Sequence, residues 1–160
     1  MDIIIPYNRQ KVAEYAYTWA YSRNPAYYDF SNLGGNCTNF VSQCLVAGGM
    51  PFNHNYLGWF YKNLKHRSPS FTGAPYLHNF LIQKNKRRGP FAELIETHQA
   101  KIGDIIQLSF DGITFGHSMI VVEVGDDPLV SANSYDVYGK KLSEYYYNTS
   151  RILHILGAYK

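Results

Sequence analysis

Apolar side chains recur at helical spacing over residues 9–21, with Val12, Ala13, Ala16, Trp19 and Ala20 on one face. Asn8 precedes this run as a good N-cap and Asn24-Pro25 closes it, so the pattern predicts a first helix. A loop over residues 27–35 follows. The next periodic segment predicts a second helix over Cys37–Ala47, with Phe40, Val41, Cys44, Leu45 and Cys37 itself facing inward. Gly48-Gly49 and the nearby Pro51 supply its stop. Residues 53–70, rich in Tyr56, Trp59, Phe60 and Tyr61, read as irregular or short-helical, and Thr72 opens a third helix over residues 72–83. Lys84-Asn85-Lys86-Arg87-Arg88, before Gly89-Pro90, reads as an exposed loop. The character then changes to β-branched runs. Strands are predicted over residues 103–110, 117–124, 129–132 and 151–156, with Asp111-Gly112 in the first connection. Helices first and strands afterwards define an α+β fold, with N-terminal helices packed on an antiparallel sheet in one domain over residues 1–160.

The chain is long enough, at 160 residues, to enclose a core without disulfide or metal staples. Its aromatic content comes mainly from 15 Tyr, whose polar tips suit a wet cleft as well as a core. The net charge of +3 is mild, and no groove-reading helix or zinc site accompanies the basic run, so nucleic acid is not expected as a partner. An anionic polymer such as a bacterial wall fits that run equally well. The two cysteines, Cys37 and Cys44, lie seven positions apart. On one helix this separates them by about 10 Å at roughly 1.5 Å per residue, too far for a disulfide. His54, His66, His78, His98 and His154 show no metal-ligand spacing, and no metal or cofactor is expected. The first seven residues lack the basic and apolar regions of a signal peptide, and no run is long and apolar enough to span a bilayer. The chain as given reads as a soluble monomer, extracellular or wall-associated if a leader has been removed.

The chemistry concentrates in Gly34-Gly35-Asn36-Cys37-Thr38-Asn39-Phe40-Val41-Ser42-Gln43. A glycine-rich loop delivers a cysteine to the first turn of a helix, where unpaired N–H groups favour an anion. That setting promotes the thiolate, and the same N–H groups can receive an oxyanion. A cysteine there is equally an ordinary small buried residue. Gly116-His117-Ser118-Met119-Ile120-Val121-Val122 puts a histidine at the start of an apolar strand. Alone it reads as a solvent-facing strand end. Its order after Cys37, and ahead of a polar residue on the next strand, suits a Cys/His/polar triad. Asn133 is the first choice for the third member, with Ser134 and Asp136 as alternatives. Asp104 reads as a cap or turn residue, and Asn39 and Gln43 as structural hydrogen-bonders.

Cys-Thr-Asn-Phe-Val-Ser-Gln-Cys-Leu before Ala-Gly-Gly, the Trp-Phe-Tyr cluster, Gly-Asp-Ile-Ile and Gly-His-Ser-Met-Ile-Val together resemble the putative amidase domain family. That family is similar to the NlpC-type and CHAP cell-wall hydrolases of the papain-like group. The resemblance runs from about Tyr7 to the last strand. It implies a papain-like, NlpC-type fold, with Cys37 as nucleophile, His117 as general base and Asn133 in the third polar position. It also implies a substrate-contacting hydroxyl from Tyr27 or Tyr28. Asn36 and Trp59 are further candidates for substrate contact. Two positions depart from the family's pattern: Asn36 stands where Asp is common, and Asn133 where many members carry His.

The activity this implies is hydrolysis of an amide bond through a thioester, in a peptide or amide substrate such as the stem peptides of peptidoglycan. Acyl transfer to an amine, or a non-catalytic wall- or protein-binding role on a Tyr and Trp platform, are the alternatives.

Overall fold

The computed structural model describes residues 3–160. Met1 and Asp2, which open the stretch read for a signal peptide, lie outside the described residues. In chain order the elements are β1 (Ile4–Ile5), α1 (Arg9–Trp19), α2 (Cys37–Ala47), β2 (Tyr61–Asn63), β3 (His66–Arg67), α3 (Pro69–Thr72) and α4 (Ala74–Ile82). Then come β4 (Gly89–Ile95), β5 (Ile105–Ser109), β6 (Phe115–Glu123), β7 (Leu129–Ala132), β8 (Val137–Lys141) and β9 (Thr149–Tyr159). The fold is α+β. An antiparallel sheet runs in the order β1-β9-β5-β6-β7-β8, and β4 pairs with the other edge of β9.

Local chemistry accounts for the two long helices. Asn8 caps α1 by accepting a bond from the Lys11 N–H at 3.1 Å, and Val12, Ala16 and Ala20 bury one face. In α2 every residue from Thr38 to Leu45 is buried, so the helix is enclosed by α1, α3 and the sheet. It stops at Gly48, where an added Cβ would lie 2.5 Å from the Tyr7 ring and 2.7 Å from Val12. Only glycine fits between them.

The sheet is packed on both faces. Ile105, Ile120, Val122, Leu153 and Ile155 join the helices in one cluster. Ile106, Leu108, Met119, Val121, Val130 and Ile152 form a second on the opposite face, closed by Ala100 and Leu142. Two-sided burial explains why β5 and β6 read as nearly continuous apolar runs.

Several expected elements differ. Residues 53–70 contain the β2–β3 hairpin and an Asn53–Trp59 bridge. The single helix expected from Thr72 is two helices: Thr72 ends α3, extended Gly73 intervenes, and α4 starts afresh. Pro69 and Pro75 each sit in a first turn, the helical position that tolerates proline. The basic run is not wholly exposed. Lys86 is buried, its ammonium donating to the Phe80 and Leu81 carbonyls at the end of α4, and burial lowers its pKa to about 7. Strands β4 and β8 were not expected. Each lies at a sheet margin, where Pro90 and the Gly139-Lys140-Lys141 run are tolerated. None of the helices described is long and apolar enough to cross a membrane.

Asp104 binds the N-terminal segment to the sheet. Its fully buried carboxylate pairs with Arg9 at 2.8 Å and accepts bonds from the Lys101 N–H (2.8 Å), the Ile155 N–H (3.0 Å) and His154 Nδ1 (2.8 Å). Arg9 also donates to the Ile102 and Ile155 carbonyls. Replacing Asp104 with Ala strands these donors, and a urea titration is expected to show a loss of about 3 kcal/mol. A loss under about 1 kcal/mol would mean that this network is not a structural anchor.

Candidate active site

The loop before α2 is shaped by Gly34 and Gly35, at φ +86° and +98°. The next residue, Asn36, occupies the N-cap position, but its side chain makes no capping bond. Its Oδ1 instead accepts from the Phe30 N–H and Asn39 Nδ2, both at 3.0 Å, and its Nδ2 donates to Asn133 Oδ1 at 3.1 Å. Its backbone N–H donates to Ser134 Oγ at 3.2 Å. The consequence falls on the next residues: the first-turn N–H groups of α2 receive no side-chain cap and remain available to an anion.

Cys37 is the first residue of α2 and is half-buried. Its Sγ lies 3.8 Å from the Gly116 carbonyl oxygen and 3.7 Å from Thr38 Oγ1. Beneath it runs a buried polar line. Thr38 Oγ1 and Ser118 Oγ are 2.9 Å apart, and Gln107 Nε2 donates to Ser118 Oγ (3.1 Å) and to the Ala74 carbonyl (2.9 Å). Arg151 Nε completes it by donating to Gln107 Oε1 at 2.8 Å. These bonds seat the start of α2 on β6 and leave those groups satisfied.

Strand β6 begins at Phe115 rather than at His117. Leu108 pairs with His117 and Ser109 with Phe115, so Gly116 is the extra residue of a bulge, and its carbonyl is the one facing Cys37. The His117 ring lies 6.5 Å from the Phe110 ring and 6.2 Å from that of Tyr145. Burial lowers its pKa to about 4, so the imidazole is neutral at pH 7. A cleft of about 140 Å³ brings Cys37 and His117 together with Gly34, Gly35, Ser134 and Tyr135.

The other expected site residues fall elsewhere. Asn133 is buried, and its amide bonds go to Asn36, the Ala20 carbonyl (2.9 Å) and the Ala132 carbonyl (3.2 Å), not to His117. Of its alternatives, Ser134 bonds Asn36 and Ser31, and Asp136 is paired with Arg23 at 2.8 Å. Trp59 is fully buried in the core and donates to Ser42 Oγ. Tyr27 stacks on Phe71 against the core, and Tyr28 packs edge-on to Phe30, so neither ring lines the Cys37 cleft. Asn36 borders that cleft, yet its side-chain bonds are all internal. Asn39 and Gln43 are hydrogen-bonded, Asn39 to Tyr28 and Asn36, Gln43 to Tyr15. Sequence reasoning missed Ser118, which strand alternation from His117 could have placed toward α2. It also missed Tyr135 and Tyr145, which carry no local signal.

An α+β chain with a cysteine-headed helix laid on an antiparallel sheet is the class the geometry defines. The chain belongs to the family described as Putative amidase domain, whose model matches residues 6–156. It is also 38% identical over 137 residues to uncharacterized protein YhbB of Bacillus subtilis (strain 168), an alignment covering 81% of this chain and 42% of that protein. The chain thus spans less than half the length of this relative. No solved structure matches it.

Asn36 and Asn133, the two positions that the sequence reading sets apart from the family's pattern, touch one another. Asn36→Asp would set a carboxylate oxygen against Asn133 Oδ1, and a loss of about 2 kcal/mol is expected in urea unfolding. Adding Asn133→His restores a donor at that contact, so the double variant should recover most of the loss. Additive losses would show that the two positions are not coupled.

Proposed function

We propose that the protein is a cysteine-dependent amidohydrolase with Cys37 as nucleophile and His117 as base, the whole chain serving as one catalytic unit. The observation that carries this reading is the shared cleft, which sets a thiol at an uncapped helix start beside a neutral imidazole. The imidazole takes the thiol proton as sulfur attacks the amide carbonyl. The developing oxyanion is received by first-turn N–H groups of α2. The imidazolium then gives its proton to the leaving amine, a thioester remains on Cys37, and water activated by His117 releases the acid. Asn133 contributes as a positioning residue through Asn36, on the cysteine side of the pair.

The order of cysteine helix and histidine strand supports a relationship to the papain-like, NlpC-type hydrolases. On that relationship the substrate is a peptide or amide such as a peptidoglycan stem peptide.

Reactivity separates the two thiols. Cys44 is fully buried, and burial pushes its thiol well above the ordinary range. Iodoacetamide at neutral pH is expected to modify Cys37 alone, faster than free cysteine, and Cys37→Ala and His117→Ala to abolish amide turnover. Full activity in Cys37→Ala would sink the proposal. The pH profile is a separate check. Acid protonates the base and removes its acceptor, so with His117 lowered to about 4, kcat/KM should hold from pH 8 to about 5 and fall only below that. An acid limb centred near 6.5 would point to a different, solvated base.

A further inference from the structure

The Cys37 cleft adjoins a larger, open lobe of about 610 Å³, bordered by Phe110, Tyr135 and Tyr145 and bearing Asp136 and Lys140. The two spaces share His117, Ser134 and Tyr135, while Cys37 borders only the smaller. The lobe therefore adjoins the imidazole, and Cys37 is not part of its lining. Its volume suits a ligand fragment of several heavy atoms up to a short peptide.

The charges lining it are unequal in availability. Asp136 is bound by Arg23 through both guanidinium N–H groups, at 2.8 and 3.1 Å, which offsets its charge. Lys140 enters no ion pair among the described residues. Its Nζ lies 4.1 Å from the centroid of the Tyr145 ring, which holds the ammonium on an aromatic wall. Strand β8 presents it there, half-buried, with Lys140 paired to Val130. An ammonium without an ion-pair partner, held on the Tyr145 ring at the lobe, favours an anionic group over its neutral isostere.

We propose that this lobe holds the leaving-amine half of the substrate and that Lys140 binds a carboxylate on it. The substrate class is then an N-acyl amino acid or short peptide whose released amine carries a carboxylate. The assignment rests on the Cys37–His117 reading, because the imidazolium must reach the departing nitrogen, and His117 lines the lobe.

The test compares N-acetyl-alanyl-alanine with its carboxamide, titrated by NMR into the full chain carrying Cys37→Ala, where no turnover intervenes. The acid is expected to bind roughly tenfold more tightly than the amide, with shifts at Phe110, Tyr135 and Tyr145. Lys140→Met should bring the acid to the level of the amide, and Lys140→Arg should keep the preference. Equal affinity for the two ligands, or a preference that survives Lys140→Met, overturns the proposal. N-chloroacetyl-alanine and its carboxamide address the catalytic reading separately, on protein with Cys37 intact. Faster labelling of Cys37 by the acid, lost in Lys140→Met, supports both. Acid-selective binding without accelerated labelling of Cys37 removes the catalytic reading, and with it the lobe's assignment to a leaving group.

Discussion

The seating of α2 on β6 is the constraint from which the rest of the site follows. A helix whose residues are buried from Thr38 to Leu45 has little freedom to shift, and its first turn is fixed from beneath by the Thr38–Ser118–Gln107 line. These are side-chain bonds made in a low-dielectric interior, where leaving any one unmade is costly. Asn36 completes the fixation from the loop side. It gives up the usual N-cap bond in order to hold Phe30, Asn39 and Asn133, so the helix end is anchored while its own N–H groups stay open. Rigidity and an unfilled donor set thus arise from one residue.

Much of this was legible in the sequence, and the illegible parts share a cause. The bounds of α2 were readable because the Gly34-Gly35 loop, the apolar period and Gly48-Gly49 all agree. Strands β5 and β6 were readable because burial on both faces imposes nearly continuous apolar runs, and β7 and the middle of β9 because short apolar runs stand between turn residues. The marginal strands β4 and β8 carry Pro90 and Gly139, residues that denote turns when only neighbours along the chain are considered. The break at Gly73 is visible only when both prolines are read as helix starts. Cys37 and His117 could be paired by order alone. The true neighbour of Asn133 could not, because Asn36 is 97 positions away and both are neutral amides with no distinguishing local pattern.

Electrostatics in the site is organised by removal as much as by placement. Desolvation keeps His117 neutral, and Arg23 occupies the carboxylate of Asp136. Asp104, the other carboxylate considered at the outset, is committed to Arg9 and the backbone and does not line the cleft. The imidazole therefore sits without an unpaired negative charge among the residues that line its cleft. Burial alone lowers its basicity, and the Phe110 and Tyr145 rings are its aromatic neighbours.

The isolation of Cys44 also decides the redox fate of the chain. A thiol oxidised to sulfenic acid is rescued when a second thiol condenses with it, and otherwise proceeds toward irreversible sulfinic acid. The one other cysteine is sealed in the core, seven positions along the same helix, and cannot approach Cys37 while α2 stays folded. Recovery of an oxidised Cys37 must therefore draw on a thiol from outside this folded unit. Any such thiol must reach the sulfur through the opening that Gly34, Gly35 and Tyr135 border.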